Sequence, residues 1–324
     1  MASGQARVFI GLGGNIAAAA PDTVRTEAAL RRCDLTVHIS TKLNRSHLVT
    51  GREALILPCL GRTDIDRQSG GVQHVTVEDS FSMVHASEGV WEPLSPSMLS
   101  EPAIVAGIAM ATLDRHPVDW QAMIADYDRI RDEIAATIPG FEEFNRKVAE
   151  PGGFYLGNSA RQRRWQTQSG KAAFRAHALP SSILPEAAAS QVDSRTLVLQ
   201  TLRSHDQYNT SVYDLDDRYR GIRGERKVLF IHPSDLERLG FAADERVDLH
   251  SLWDDGVDRS VSGFRLVPYD LPPGNLAAYF PETNPLVPLE SVGDQSGTPT
   301  SKSIAVRLTR TPEAKTPIAA GPSS

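Results

Sequence analysis

The sequence Val8-Phe9-Ile10-Gly11-Leu12-Gly13-Gly14-Asn15 indicates how the first part of the chain folds. Its apolar residues 8–10 predict a buried strand, and the glycines that follow predict a tight turn. A helix is expected at residues 22–32, with Asp22 as its N-cap. Further apolar strands are expected at residues 35–39 and 54–57. Strand, helix and strand at this spacing are typical of a parallel α/β sheet, and the small number of strands indicates only part of a doubly wound sheet.

Composition and charge exclude several classes of protein. The chain has 324 residues, enough for two domains, and a net charge of -6, which argues against non-specific nucleic-acid binding. No apolar run approaches the roughly 20 residues that span a bilayer, and no signal peptide is recognisable, so we expect a cytoplasmic protein without a membrane span. Cys33 and Cys59 are the only cysteines. Two thiols do not supply a disulfide framework or the four ligands that an iron–sulfur cluster ordinarily takes.

The chain divides into four predicted segments. Residues 1–115 are expected to form a partial α/β domain, and residues 116–192 a helical connector and linker. Helices are predicted at residues 101–113 and 120–138, and a hairpin around Gly170. Short strands at roughly ten-residue spacing predict a β-barrel or sandwich within residues 193–310, with one helix at residues 233–239. The strands are expected at residues 197–201, 228–231, 246–251, 263–267, 275–279 and 303–308. Residues 311–324 are expected to be a disordered tail.

The glycine turn is the first candidate for a binding site. The turn that contains Gly13, Gly14 and Asn15 lets backbone N–H groups approach a pyrophosphate, because its glycines have no Cβ to block the way. The dinucleotide fingerprint needs a third glycine where Ile16 stands, so a plain strand-to-helix turn remains an alternative. The histidines are scattered without a zinc motif, and there is no serine-hydrolase elbow.

A dense polar stretch after the predicted strand 197–201 is the second candidate. Its side chains suit a phosphate and a flat heterocycle, because they combine a guanidinium group with many hydrogen-bond donors and acceptors. They are Arg203, Ser204, His205, Gln207, Tyr208 and Asn209. A structural polar turn is the alternative. Near the end of the chain, Lys302 stands at a strand entrance where it can reach an anion, although a surface lysine fits the same position.

Together these stretches resemble the molybdopterin oxidoreductase (dimethyl sulfoxide reductase) family, and in particular its formate-dehydrogenase-like alpha subunits. The resemblance runs from Val8 to about Leu308 and rests on the order and spacing of several motifs. They are residues 9–15 and 21–23, 41–47, 54–63, 203–210, 232–235 and 246–249, Gly240, and the ending 284–302.

The resemblance implies a fold, a cofactor and a set of contacts. It implies α/β plus β architecture, with the partial doubly wound sheet followed by a double-psi β-barrel. The implied cofactor is bis(molybdopterin guanine dinucleotide) with molybdenum. Gly13, Gly14 and Asn15, with Thr41, Lys42 and Asn44, would face one guanine nucleotide. The loop from Arg203 to Asn209, with Asn284 and Lys302, would contact the pterins and their phosphates.

The implied activity is two-electron oxidation or reduction of a small substrate, with formate suggested by the family group. In that family the metal ligand, any iron–sulfur cysteines and the first half of the pterin surface precede this region. We therefore place no catalytic or metal-ligating residue here, and expect a missing amino-terminal half or partner subunit. Alternatives are a stand-alone, non-catalytic nucleotide- or pterin-binding module, and a decayed fragment that binds nothing.

Overall fold

A computed structural model describes residues 1–114, 117–184 and 186–312. The first part is a three-stranded parallel sheet in the order β1-β2-β3, flanked by helices. The expected strands at 35–39 and 54–57 are present, and a short helix that the sequence did not predict follows the glycine turn. The elements are β1 (Val8–Leu12), α1 (Ile16–Ala19), α2 (Thr23–Arg31), β2 (Leu35–Ser40) and β3 (Glu53–Pro58).

The central strand β2 is the buried one, while β1 and β3 are the edges of this sheet. Val37 and Ile39 of β2 pack with Ile104 from the helix that covers one face. The prediction of β1 as a buried strand was wrong: Val8 is 53% and Ile10 50% exposed. The reason is that Val8, Ile10 and Leu12 alternate along β1 and so share one face of the strand, which is left exposed.

The middle of the chain consists of small sheets and helices. They are β4 (Asp66–Gln68), β5 (Gly71–Gln73), β6 (Val75–Glu78), β7 (Met83–Ser87), α3 (Glu101–Thr112), α4 (Trp120–Ala125), α5 (Asp128–Thr137), α6 (Phe144–Val148), β8 (Phe154–Tyr155) and α7 (Glu186–Ala189). The single helix predicted for 120–138 is in fact two helices. The break falls at Tyr127, whose N–H donates to Gln73 and whose hydroxyl contacts Asp66 and Ser100. Around Gly170 there is a turn without strands, so the predicted hairpin was wrong.

The last part is a closed six-stranded barrel in the order β12-β14-β13-β16-β9-β15. Its elements are β9 (Leu197–Leu202), β10 (Gln207–Tyr208), β11 (Ser211–Val212), β12 (Val228–Ile231), α8 (Pro233–Leu239), β13 (Arg246–Ser251), β14 (Ser260–Pro268), β15 (Asn275–Tyr279) and β16 (Ile304–Arg310). Alternate residues of the strands, such as Leu197, Leu199, Leu229 and Ile231, fill the interior. The barrel follows from short apolar runs bounded by turns, as predicted.

Contacts between α2 and the barrel fasten the two parts together. The prediction that Asp22 caps α2 was wrong, because its side chain makes no hydrogen bond to the start of this helix. Its carboxylate is instead buried against Arg259, with Nε at 3.1 Å and Nη2 at 2.9 Å. Near this pair, Arg25 makes two 2.8 Å hydrogen bonds to Glu290. Long-range pairing therefore takes the place of the local cap.

The described chain ends just after the last strand of the barrel. The last strand extends to Arg310, and the N–H of Thr311 donates to the carbonyl of Arg246 at 3.0 Å. The rest of the predicted tail, 313–324, lies outside the described residues. Across the described part of the chain, no helix has both the length and the apolar character that a bilayer crossing requires.

Candidate functional site

The first set of candidate residues lies at the carboxyl ends of β1 and β2. We call it the sheet-end cluster, and it consists of Gly13, Gly14, Asn15, Thr41, Lys42 and Asn44. Parallel strands end at the same edge of a sheet, which is where open α/β sheets bind their ligands. The two loops are in direct contact, because Asn44 Nδ2 donates to the carbonyl of Gly14 at 2.9 Å. The structure thus brings these six residues to one edge.

Backbone conformation opens donors in this cluster. Gly13 and Gly14 have φ angles of 65° and 57°, in the left-handed region that favours glycine. A Cβ on Gly14 would meet nothing within 4 Å, so the space in front of it is open. The N–H of Gly13 is used by the carbonyl of Ile39, at 2.8 Å. In contrast, the N–H groups of Gly14 and Asn15 have no acceptor among the residues that the structure describes.

The second set of candidates lies on the rim of the barrel. We call it the barrel-rim cluster, and it consists of Arg203, Ser204, His205, Gln207, Tyr208, Asn209 and Lys302. A two-stranded hairpin, β10 and β11, shapes the loop. Arg203 Nη2 donates to Asn209 Oδ1 at 2.6 Å, and the N–H of Ser204 donates to Gln207 Oε1 at 3.0 Å. Tyr208 is 67% exposed, and the His205 ring packs edge-on against Tyr219 at 4.4 Å.

Two cations are neighbours in the barrel-rim cluster. Lys302 Nζ donates to the carbonyl and hydroxyl oxygens of Thr201, the latter at 3.2 Å. Partial burial of the ammonium group and, after it, the charge of Arg203 lower the pKa of Lys302. Within the described ranges, neither cation has a carboxylate within 4 Å. Adjacent like charges without a counterion suit a phosphate, which would relieve their repulsion.

Asn284 lies between β15 and β16 of the barrel and contacts α1. Its side chain is buried, and its Nδ2 donates to the carbonyls of Ala18 at 2.6 Å and Ala19 at 3.2 Å. The carbonyl of Asn284 in turn accepts from the N–H of Asp22 at 3.0 Å. Its amide hydrogens are thus used to hold the end of α1, the helix that follows the glycine turn. Asn284 therefore ties the barrel to the sheet-end cluster.

Sequence reasoning missed the groups that support the barrel-rim loop. The largely buried side chain of Arg226 donates to Ser204 Oγ at 2.8 Å and to Gln207 Oε1 at 3.0 Å, and it pairs with Glu282. Arg220 reaches the carbonyl of Arg203 at 3.3 Å. These side chains are distant in sequence from the loop and belong to no motif, so only the fold reveals them.

Asp217 anchors Arg220 beneath this loop. Its carboxylate is completely buried and accepts from Arg220 Nη1 at 2.5 Å and from the hydroxyl of Tyr279 at 2.8 Å. Burial works against ionisation of Asp217, but these donors outweigh it, and the pKa of the carboxyl lies below its usual value. A charged Asp217 therefore holds Arg220 in place under the loop.

A large cavity borders the sheet-end cluster. It has a volume of about 1020 Å³ and is lined mainly by apolar side chains of α3, α4 and α5, including Val105, Met123 and Ile130. Leu12 and Glu101 also line it, and Glu101 Oε1 lies 3.9 Å from the position of a Cβ on Gly13. Among the residues described, no group of three or more His, Cys, Asp or Glu is placed to hold a metal ion.

Comparison with known proteins agrees with this architecture. Residues 197–305, which cover most of the barrel, match the molydopterin (molybdopterin) dinucleotide binding domain. The chain is similar to an uncharacterized oxidoreductase of Mycobacterium tuberculosis (strain H37Rv), with 53% identity over 314 residues, covering 95% of this chain and 39% of that protein. It is also similar to protein YdeP of Escherichia coli (strain K12), with 46% identity over 308 residues, covering 94% of this chain and 40% of that protein. The chain thus spans about two fifths of the length of these relatives.

A solved structure shares the fold. Acetylene hydratase from Pelobacter acetylenicus superposes with a TM-score of 0.55 at 14% identity, over 94% of this chain and 44% of that one. The fold and the matched domain define the class: a cofactor-binding part with mixed sheets and a closed barrel. The barrel is thus a molybdopterin dinucleotide binding domain of the molybdopterin oxidoreductase (dimethyl sulfoxide reductase) family, and relatives named oxidoreductases extend the similarity over nearly the whole chain.

Proposed function

We propose that this chain is the part of a formate-dehydrogenase-like molybdopterin oxidoreductase that holds bis(molybdopterin guanine dinucleotide). The observation that carries the proposal lies on the barrel rim, where Lys302 binds the oxygens of Thr201, two residues before Arg203. Among the described residues, neither cation has a carboxylate within 4 Å. Open N–H donors of Gly14 and Asn15 support it from the sheet. Both donor sets match the oxygens of a nucleotide diphosphate.

The cofactor fits the residues present in a definite way. The sheet-end cluster would hold one guanine nucleotide, and the barrel-rim cluster would hold the pterins and their phosphates. His205, Tyr208 and Asn209 offer flat or amide groups to a heterocycle, while Arg226 and Asp217 keep the loop in place. When bound, the molybdenum cofactor supplies two-electron oxidation or reduction of a small substrate. In finer detail, we propose a double-psi path for the barrel and a doubly wound sheet completed by further strands.

Exposed apolar groups on β1 support a polypeptide partner. Val8, Ile10 and Leu12 are each at least half exposed, on a strand with one free edge in the described sheet. Single open sheets commonly have more strands than three, and exposed edge strands invite pairing. We propose that the region of the relatives that this chain does not cover packs here. Co-expression with that region of the M. tuberculosis relative should give a complex that elutes together from a sizing column; separate elution would contradict this.

A direct binding experiment tests the cofactor proposal. Molybdopterin guanine dinucleotide is titrated into the full chain and followed by its fluorescence. Arg203→Met and Lys302→Met should each weaken binding about tenfold, because each removes one charged hydrogen bond to phosphate. Arg195→Met is the matched control, an exposed arginine away from both clusters, and should change nothing. Equal affinity of all four proteins would refute the assignment, as would absence of binding by the wild type.

The same complex can be used to test for formate oxidation. The chain with the remaining region of a relative should retain molybdenum and reduce a dye with formate as donor. Activity on another small acid or oxyanion, with none on formate, would overturn the formate assignment. Tight cofactor binding that the second region leaves unchanged, with no dye reduction, would instead favour a stand-alone binding module.

A further inference from the structure

Ser46 occupies a buried position beside the glycine turn. It lies in a short 3₁₀ helix, Arg45–Leu48, and is only 1% exposed. Its Oγ accepts from the N–H of Ala17 at 3.1 Å and donates to Asn15 Oδ1 at 3.2 Å. The Ser46 hydroxyl has a single proton, and its oxygen already accepts from Ala17. The hydroxyl therefore donates this proton to Asn15 Oδ1. Ser46 therefore connects the β2 loop to the turn through a side chain that solvent does not reach.

This hydrogen bond orients the amide of Asn15. With Oδ1 turned toward Ser46, the Nδ2 group must point the other way. Asn15 Nδ2 has no acceptor among the described residues, and the same is true of the N–H groups of Gly14 and Asn15. Three donors are thus left at one turn. A phosphate offers several acceptor oxygens and can use them all.

A second chain of contacts holds the other side of the turn. Asn44 Nδ2 donates to the carbonyl of Gly14, so this acceptor is already occupied. Asn44 is itself held by two hydrogen bonds. Its Oδ1 accepts from the N–H of Ser46 at 2.9 Å, and its own N–H donates to His47 Nδ1 at 2.9 Å. The His47 ring packs against the buried His38 ring of β2 at 5.2 Å. The geometry of the turn is therefore set by the strand beneath it.

We propose that Ser46 is a positioning residue of the nucleotide site, and that its hydroxyl directs the Asn15 amide hydrogens toward the diphosphate of the bound cofactor. The inference rests on the proposed function and adds a residue to it. Asn15 would contact the ligand, whereas Ser46 acts only through Asn15. The ligand chemistry recognised is the diphosphate, not the guanine base.

Two small ligands separate positioning from folding. GDP and guanosine are titrated into the full chain by calorimetry. Ser46→Ala should weaken GDP binding about tenfold and leave guanosine binding unchanged, because only the diphosphate contact is disturbed. Ser46→Thr keeps the hydroxyl and should restore GDP affinity. Ser97→Ala, at a surface hydroxyl paired with Ser95, is the matched control and should behave as the wild type.

Asn15→Asp provides an independent test if Ser46→Ala folds poorly. It keeps the acceptor for the Ser46 hydroxyl but replaces the free N–H donors with a carboxylate. GDP binding should therefore fall further than in Ser46→Ala, while guanosine binding stays. Equal loss of both ligands in either variant would overturn the positioning role.

The outcomes also separate this inference from the proposed function. GDP binding by the wild type with undiminished binding by Ser46→Ala and Asn15→Asp overturns the positioning role alone. Failure of the wild type to bind GDP and molybdopterin guanine dinucleotide overturns both.

Discussion

The buried contact between Asp22 and Arg259 gives the sharpest stability prediction. Each side chain is 3% exposed, and the pair joins the sheet to the barrel across 237 residues of sequence. Arg259→Met would leave the Asp22 carboxylate buried without its main partner. Breaking a buried pair in this way ordinarily costs about 3–5 kcal/mol. Arg25 stays 3.5 Å from Asp22, so we expect the lower end, about 3 kcal/mol.

Urea unfolding followed by circular dichroism measures this loss. The matched control is Arg67→Met, which breaks the exposed pair with Glu92, whose side chains are 52% and 72% exposed. Exposed pairs contribute about 0–1 kcal/mol, so the control should change little. The double variant Asp22→Asn/Arg259→Met should be more stable than Arg259→Met, because no buried charge is left without a partner. A free energy of unfolding for Arg259→Met within about 0.5 kcal/mol of the control would show that the buried pair does not stabilise the fold.

Three further predictions follow from conformation and burial. Gly14→Ala should lower the free energy of unfolding by about 1–2 kcal/mol in the same urea assay, because alanine is strained at a φ of 57°. Burial lowers the pKa of His38 and His74, so on acidification these histidines take up protons in the unfolded chain before they do so in the folded one. The free energy of unfolding should therefore be highest above a pH of about 6.5 and decrease as the pH drops below it. This decrease should be smaller in the double variant His38→Gln/His74→Gln. Cys33 and Cys59 are buried, and burial raises the pKa of Cys59; an aromatic disulfide reagent should therefore modify both thiols only after unfolding, and fast labelling of the folded chain would contradict this.

Local patterns accounted for the barrel better than for the sheet. The predicted bounds of β12, β13, β15 and α8 agree with the structure, because short apolar runs end at glycine, proline or charged residues there. Tertiary contacts decided the remainder. Tyr127 interrupts a helical pattern because it is held by residues more than 25 positions away. Asp22 pairs with Arg259 instead of capping α2.

The candidate site shows the same division. Polar residues crowded into one loop, such as Arg203 and Gln207, are visible in the sequence, as are the paired glycines. The residues that support them are not visible in the sequence. Ser46 and Arg226 belong to no motif, and only their contacts in the folded chain reveal their role. The roles of the fourteen proposed cofactor contacts remain predictions.

Hydrogen exchange with and without molybdopterin guanine dinucleotide tests most directly whether both parts of the chain bind one cofactor set. We expect the ligand to slow exchange at residues 13–15 and at residues 203–209 in the same titration. Protection confined to one of these segments, or to neither, would contradict it.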